Sequence, residues 1–176
     1  EVLDQAIVNE IEKAKEKGKT STYWANWWRV YGLGETGSLE GVCIPDWKEI
    51  DNLPEEARLL GHGLDFGYSV DSSTIISLYK WNDAYIYDEI LCKKGMLNRD
   101  ISRFLSQADI KENIVADSAE PKSIAELQGY GHNIHGVTKG RDSVVYGINL
   151  MNQNEIYITS RSKNLKRELG GYVWAK

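Results

Sequence analysis

The sequence predicts an α/β protein built on a mixed β-sheet, in which three antiparallel strands precede parallel βα units and helices flank the sheet. Two observations support this fold class. Three strand-type segments follow one another between residues 61 and 94, and helix-type and strand-type segments then alternate from residue 98 onward. Because parallel strands need crossover connections, usually helices, this order predicts a sheet whose later strands are parallel.

The composition is that of a globular protein. Of the 176 residues, 41% are hydrophobic and 27% are charged, and we expect neither a signal leader nor a membrane span, which needs ~20 apolar residues. The net charge of −5 argues against a dedicated nucleic-acid-binding module, but a metal-dependent nuclease also carries carboxylates for its metal ions. Cys43 and Cys92 are predicted to be reduced thiols, which fits a cytoplasmic setting.

The first third of the chain is predicted to lie outside the main domain. Residues 1–17 carry apolar side chains at helical spacing and predict an amphipathic helix. Residues 20–41 are rich in aromatic residues and then in glycine, which predicts an irregular segment. Residues 44–61 are polar and contain two prolines, which predicts a linker. We therefore expect residues 1–59 to form a helix and linker and residues 60–176 to form the main domain.

Three strands are predicted at the start of that domain, over residues 61–69, 73–81 and 84–94. The first is a short segment of small and apolar residues. The second and third are joined by the turn residues Asn82 and Asp83, which predicts a hairpin.

The remaining segments alternate between helix and strand. Helices are predicted over residues 98–110, 121–131, 141–153 and 162–176, and strands over 113–121 (ending in a polar turn), 133–139 and 155–161. Asn98 and Asp142 are predicted N-caps, and Pro121 occupies the first turn of its helix. The resulting order, βββαβαβαβα, is the layout of the RNase H-like fold.

Two aspartates lie in predicted strand segments of this sheet. Asp65 follows the small and apolar residues that open the first segment, and Asp117 follows the apolar part of the segment over residues 113–121. In an RNase H-like sheet these strands are neighbours, so both carboxylates would reach one cleft at the edge where α/β proteins place their active groups. Ionised carboxylates in one site repel each other, and two Mg²⁺ or Mn²⁺ ions relieve that repulsion. The alternative for each aspartate is a turn-former or helix cap.

Several further residues are weaker candidates. Glu89, Asp71 and Glu120 are candidate auxiliary acids. The alternative for Glu89 is a charge on an exposed face or an edge strand, and the alternative for Asp71 and Glu120 is a turn or cap. Lys139 and Arg141 lie on a predicted strand-to-helix loop, where they would contact DNA phosphate or remain solvated loop charges.

Other chemistries are not indicated. The segment around Lys19 resembles the end of a phosphate-binding loop, but Lys13 stands where that pattern requires glycine and a helix precedes it. ATP binding is therefore not expected there. His62, His132 and His135 show no zinc spacing with carboxylates, and no nucleophile paired with a histidine is visible.

Four segments together resemble the nuclease domain of the large subunit of tailed-phage and prophage terminases. They are GLDFGYSVDSSTII, YIYDEIL, IVADSAEPKSIAEL and VTKGRDSVVYGINLMNQNEIYIT. The upstream segment YWANWWRVYGLGETGSLEG resembles the end of the ATPase domain of the same proteins. The resemblance extends from about Thr22 to the end of the sequence and implies that residues 1–59 include an ATPase remnant.

The resemblance implies an RNase H-like endonuclease that cuts concatemeric double-stranded DNA during viral packaging, using two Mg²⁺ or Mn²⁺ ions. The first two acids of the family match Asp65 and Asp117. Implied partners are double-stranded DNA, the portal protein, the small terminase subunit and the ATPase domain, and the implied location is the host cytoplasm.

This sequence also departs from the family pattern. The Walker motifs of the motor are absent, so ATP hydrolysis by this chain is not expected. The family's third acid follows a Tyr-x-Trp segment, whereas this sequence stops at Lys176, just after Tyr172-Val173-Trp174. We therefore expect a nuclease domain truncated at its C-terminal end. The alternatives are a non-catalytic docking module of the packaging motor, or another RNase H-like enzyme such as a resolvase or transposase.

Overall fold

The computed structural model describes residues 12–13, 15–16, 19, 28, 32–33, 41–138 and 140–174. The chain divides into two compact units, Glu1–Pro45 with Arg167–Lys176, and Asp46–Lys166. In the first unit, Val42 forms an antiparallel bridge with Val173. The helix predicted over residues 1–17 falls mostly outside the described residues, although the four described there are helical. The irregular segment predicted over residues 20–41 also falls almost wholly outside them.

Seven strands among the described residues form one sheet in the second unit, in the order β1-β7-β4-β3-β2-β5-β6. They are β1 (Lys48–Ile50), β2 (Arg58–Asp65), β3 (Ser73–Trp81), β4 (Ala84–Lys93), β5 (Ile114–Ala116), β6 (Ile134–Gly136) and β7 (Ile156–Thr159). The neighbours β2, β3 and β4 are antiparallel, and the other four pairings, β2–β5, β5–β6, β4–β7 and β1–β7, are parallel. The predicted mixed sheet is confirmed.

The hairpin of β3 and β4 lies where the sequence placed it. Asn82 adopts a positive φ of 50° in the two-residue turn, a conformation that asparagine tolerates better than most residues. The strand predicted over residues 61–69 ends instead at Asp65. Beyond it the chain folds back, and Ser73 Oγ donates a hydrogen bond of 2.6 Å to the backbone oxygen of Gly67. A Cβ at Gly67 would lie 2.5 Å from the backbone oxygen of Ser72, so this close return requires glycine.

Four helices are bounded within the described residues, namely α1 (Asn98–Gln107), α2 (Pro121–Gly129), α3 (Ser143–Asn152) and α4 (Lys163–Gly171). The predicted cap of α1 is wrong by one residue. Leu97 is the N-cap, and its N–H donates to Asp100 Oδ2 at 3.1 Å. Asn98 begins the helix, and its side chain donates to Glu126 on α2. Asp142 does occupy the N-cap of α3, without a side-chain capping bond.

Helices α1 and α2 cover one face of the sheet. The buried apolar side chains of this core are Leu64, Ile75, Ile101, Leu105, Ile114, Ala116, Ile124, Leu127 and Ile134. They come from β2, β3, β5, β6 and the two helices, so burial of this cluster fixes the strands that end at the candidate acids. Fully burying each large aliphatic side chain contributes about 1.5–3 kcal/mol to folding.

One strand was not predicted. β1 lies in the segment interpreted as a linker, and it adds an edge strand by pairing with β7, Lys48 opposite Tyr157. The sheet therefore includes residues before position 60, and the division at residues 59 and 60 stays a prediction. Cys43 is buried and Cys92 is half-buried, and the two cysteines do not form a disulfide with each other. No helix in the described part of the chain has the length and apolar character needed to span a bilayer.

Candidate functional site

Asp65 and Asp117 lie side by side at the carboxyl ends of two paired strands. The parallel register of β2 and β5 pairs Leu64 with Ala116, and each aspartate is the next residue in its chain. Adjacent strands are separated by about 4.8 Å, so the two backbones run roughly that far apart at the acids. Leu64 and Ala116 are buried in the core, and alternation directs the following side chains away from it. Asp65 is exposed and Asp117 is half-buried.

The chain after β5 orients the Asp117 carboxylate. Its Oδ1 accepts a hydrogen bond of 3.0 Å from the backbone N–H of Ala119, and its carbonyl oxygen accepts one of 3.3 Å from the N–H of Glu120. This aspartate therefore forms a turn, as the alternative interpretation held. The same contact holds the carboxylate in one orientation next to Asp65, so the turn does not exclude a role as a ligand.

The two carboxylates fit a hard divalent cation. Mg²⁺ prefers oxygen ligands, and proteins commonly hold it by one or two carboxylates while substrate phosphates supply further oxygens. Among residues 41–138 and 140–174 and the few described before them, no group of three or more His, Cys, Asp or Glu side chains is placed to hold an ion. Asp65 and Asp117 thus provide a two-carboxylate set in the described part of the chain.

Glu89 does not share the position of these two acids. It pairs with Ile76 on β3, which in turn pairs with Gly63, so β3 separates it from the strand of Asp65. Its Oε1 accepts from Asn164 Nδ2 at 2.8 Å and its Oε2 from the Leu165 N–H at 2.6 Å. The carboxylate therefore binds the first turn of α4. An auxiliary catalytic role for Glu89 stays a prediction.

Three other candidates, Asp71, Glu120 and Arg141, belong to loops at the same sheet edge as the acid pair. Asp71 is exposed in the loop between β2 and β3, and Glu120 is exposed just before α2, where Ser123 Oγ donates to it at 3.3 Å. Arg141 is exposed between β6 and α3. Lys139 lies outside the described residues. Roles for these four residues in metal or phosphate binding stay predictions.

An ion pair next to β7, in which a buried carboxylate binds a largely exposed arginine, was not predicted from the sequence. Asp88 on β4 is fully buried, and its Oδ1 accepts from Arg161 Nε at 2.7 Å and from Thr159 Oγ1 at 2.7 Å. Arg161 Nη2 also bonds the second oxygen, and these contacts raise the pKa of the guanidinium. The signal was available, because Ala84, Ile86 and Asp88 occupy alternate positions of β4 and a charge in that buried series needs a partner.

His62 on β2 is a second buried polar group. The residue is 6% exposed, and Nδ1 lies 3.0 Å from Ser77 Oγ. Among the described residues, Nε2 has no hydrogen-bond partner, and the nearest carboxylate oxygen, of Glu112, is 3.8 Å away. Burial lowers the pKa of this imidazole because the charged form loses hydration, and the Glu112 charge offsets this only in part.

This burial predicts a pH-dependent stability. The folded protein binds the His62 proton more weakly than the unfolded chain does, so the free energy of unfolding should fall as pH drops below the ordinary imidazole value of about 6.5. Above that pH His62 is neutral in both the folded and the unfolded protein, so it no longer lowers the free energy of unfolding. Urea unfolding of the wild type and of His62→Gln between pH 8 and 5.5 tests this. If the free energy of unfolding changes with pH by the same amount in the wild type and in His62→Gln, the prediction is contradicted.

The sheet order and the paired acids define an RNase H-like α/β domain. A family model described as "Terminase RNAseH like domain" matches residues 65–176. The chain therefore belongs to the terminase RNase H-like domain family, and the resemblance to the terminase nuclease domain is confirmed.

The chain is also similar to individual terminase proteins and structures. The chain is 28% identical over 179 residues to the terminase large subunit of Bacillus phage SPP1, a match that covers 94% of this chain and 41% of that protein. The chain thus spans about two fifths of the length of that relative. Its fold is similar to the nuclease domain of the SPP1 large terminase with bound Mn, with a TM-score of 0.64, 22% identity and coverage of 76% and 82%. The nuclease of thermophilic phage G20c aligns with a TM-score of 0.56, 17% identity and coverage of 77% and 83%.

Proposed function

We propose that this chain is the nuclease part of a DNA-packaging terminase and that it cuts double-stranded concatemeric DNA with two divalent metal ions, Mg²⁺ or Mn²⁺. The observation that carries the proposal is the placement of Asp65 and Asp117 directly after the paired residues Leu64 and Ala116. Membership of the terminase family and the similarity of the fold to the SPP1 nuclease domain with bound Mn support it.

Asp65 and Asp117 would hold the metal ions. When bound, such ions lower the pKa of a coordinated water and neutralise the charge that develops on a phosphodiester. The chain's own contribution is positioning. The core beneath β2 and β5 fixes the spacing of the two carboxylates, and the Ala119 N–H fixes the orientation of one of them. Oxygens of the DNA phosphate would complete the ligand set that these two acids begin.

The same proposal assigns the partners. Double-stranded DNA is the substrate, and the portal protein, the small terminase subunit and an ATPase domain are the assembly partners, in the host cytoplasm. The part of the chain before β1 would belong to the ATPase side, and β1 and the rest of the sheet to the nuclease side.

Nicking of supercoiled plasmid by the purified 176-residue chain tests the function. We expect conversion to open circles and linear DNA with Mn²⁺, and complete loss of conversion when a chelator removes the metal. Restoration by added Mn²⁺ controls for damage by the chelator. A folded chain that binds DNA but leaves the plasmid intact at all Mn²⁺ concentrations would contradict the proposal and favour a non-catalytic docking module.

A further inference from the structure

A cleft of about 260 Å³ opens at the sheet edge where the candidate acids lie. The loop after β2, the turn before α1 and the start of α2 contribute to its lining, which includes Phe66, Tyr68, Met96, Leu97, Glu120 and Ser123. Phe66 directly follows Asp65, and Glu120 follows Asp117 by three residues. The cleft is therefore built from the same two chain segments that carry the acid pair.

The lining offers both apolar and polar surface, which suits a flat group with polar edges. Phe66, Met96 and Leu97 provide apolar surface, and Tyr68 presents an aromatic ring that is 57% exposed. Such exposed aromatic rings in nucleic-acid-binding proteins stack on bases. The volume lies below the ~300–1,000 Å³ typical of drug-sized pockets, so a single base is a better fit than a larger ligand.

The charge of the lining distinguishes a base from a phosphate. Glu120 is the acidic member of the lining, and its carboxylate would repel a phosphate placed in the cleft. The same carboxylate can accept a hydrogen bond from the exocyclic amino group of a base, as acidic side chains do with cytosine N4. Ser123 Oγ, which donates to Glu120 at 3.3 Å, helps to hold that acceptor in place.

Two lysines stand at the rim of the cleft. Lys93 pairs in the sheet with Ser73, which lines the cleft, and both Lys93 and Lys94 are exposed. The N–H of Gly95 donates to the backbone oxygen of Tyr68 at 2.8 Å, which joins the lysine-bearing turn to the loop of the exposed ring. Positive charge therefore lies next to the aromatic surface, an arrangement that suits a nucleic-acid strand.

We propose that this cleft, on the α1 and α2 side of the sheet edge that carries the acid pair, receives one base extruded from the duplex and stacked on Tyr68, while Lys93 and Lys94 contact the phosphates outside. The inference deepens the proposed function and rests on it for the identity of the ligand. Because Glu120 accepts hydrogen bonds, the cleft favours a base with an amino group, such as cytosine, over thymine.

Fluorescence anisotropy with labelled single-stranded oligonucleotides tests the aromatic part of the proposal. The 176-residue chain is titrated in chelator, so that neither metal binding nor cleavage contributes. Tyr68→Ala should lower affinity roughly 10-fold or more, and Tyr68→Phe should keep most of it because stacking is retained. Tyr130→Ala is the matched control, since Tyr130 is 51% exposed and follows the far end of α2. Equal losses in Tyr68→Ala and Tyr130→Ala would overturn the proposal.

The same titration tests the proposed roles of Glu120 and of the two lysines. Wild type should bind oligo(dC) more tightly than oligo(dT), and Glu120→Ala should remove that preference. Removing Lys93 and Lys94 together should reduce the slope of log K against log salt by about 1.4, at about 0.7 for each phosphate contact of a single strand. Lys111→Ala, an exposed lysine before β5, is the control. If Glu120→Ala keeps the preference for oligo(dC), the assignment of Glu120 is contradicted. If removal of both lysines leaves the salt dependence unchanged, the assignment of Lys93 and Lys94 is contradicted.

Failure of this inference is distinguishable from failure of the proposed nuclease. If the wild-type chain shows no Mn²⁺-dependent nicking but Tyr68→Ala still weakens DNA binding, the proposed nuclease activity is rejected and the base-binding cleft is not. If the wild-type chain nicks plasmid DNA but Tyr68→Ala binds oligonucleotides as tightly as the wild type, the base-binding cleft is rejected and the nuclease activity is not.

Discussion

Asp65→Ala is expected to abolish Mn²⁺-dependent nicking of plasmid DNA by this chain. Asp65 would supply one of the two carboxylates that the described residues bring together at the sheet edge. Loss of an outer partner of a metal ligand already costs about 10–100-fold in metal affinity or activity, so removal of a ligand should reduce the rate by at least about 100-fold. Initial rates of supercoiled-plasmid loss in Mn²⁺ measure the effect.

Two further variants make this test specific. Asp65→Asn keeps the size of the side chain and removes its charge, so it should be similarly inactive while retaining the circular dichroism spectrum of the wild type. Asp83→Ala removes an exposed carboxylate from the β3–β4 turn, at the opposite edge of the sheet, and should cut normally. Unchanged cutting by a well-purified Asp65→Ala sample would remove Asp65 from the site.

Arg161→Ala is expected to destabilise the fold. It leaves the Asp88 carboxylate, which is fully buried, with Thr159 Oγ1 as its remaining donor among the bonds described above. Breaking a buried ion pair in this way typically costs 3–5 kcal/mol. Because the Arg161 side chain is 63% exposed, water can replace part of its contact, and we expect about 3 kcal/mol. For a chain of this size, that lowers the melting temperature by roughly 6–12 °C.

Arg103 offers a matched control for this prediction. Its side chain is 65% exposed and pairs at 3.4 Å with Asp100, whose side chain is 31% exposed. A surface pair of this kind contributes about 0–1 kcal/mol, so Arg103→Ala should lower the melting temperature little. Differential scanning calorimetry compares the two variants. Melting temperatures that fall by the same small amount would show that the Asp88 contact does not hold β4, β7 and the start of α4 together.

The parts of the fold set by local sequence were predicted well. The bounds of β3 match its predicted range and β4 ends one residue early, because the turn at Asn82 and Asp83 fixes where both strands meet. β1 was missed because three residues carry little periodicity, and its pairing partner lies more than 100 positions away. The end of β2 was misplaced because the return at Gly67 depends on Ser73, which no local pattern reveals.

In the candidate site, too, the sequence predicted the features that depend on local pattern and element order, and missed those that depend on distant contacts. Asp65 and Asp117 could be placed together because each closes a strand and the element order predicts that the strands are neighbours. The base-binding cleft could not be predicted, since its lining comes from three loops and helix ends that meet only in the folded chain. The ion pair of Asp88 and Arg161 lies between these cases, because the alternation of β4 indicates that Asp88 is buried but does not identify its partner.

The position of bound metal tests the central claim most directly. Crystals of the 176-residue chain soaked in Mn²⁺ should show anomalous density between the carboxylates of Asp65 and Asp117, and the density should be absent in Asp65→Asn crystals. Anomalous density only at other carboxylates, with none at this pair under saturating Mn²⁺, would contradict the account.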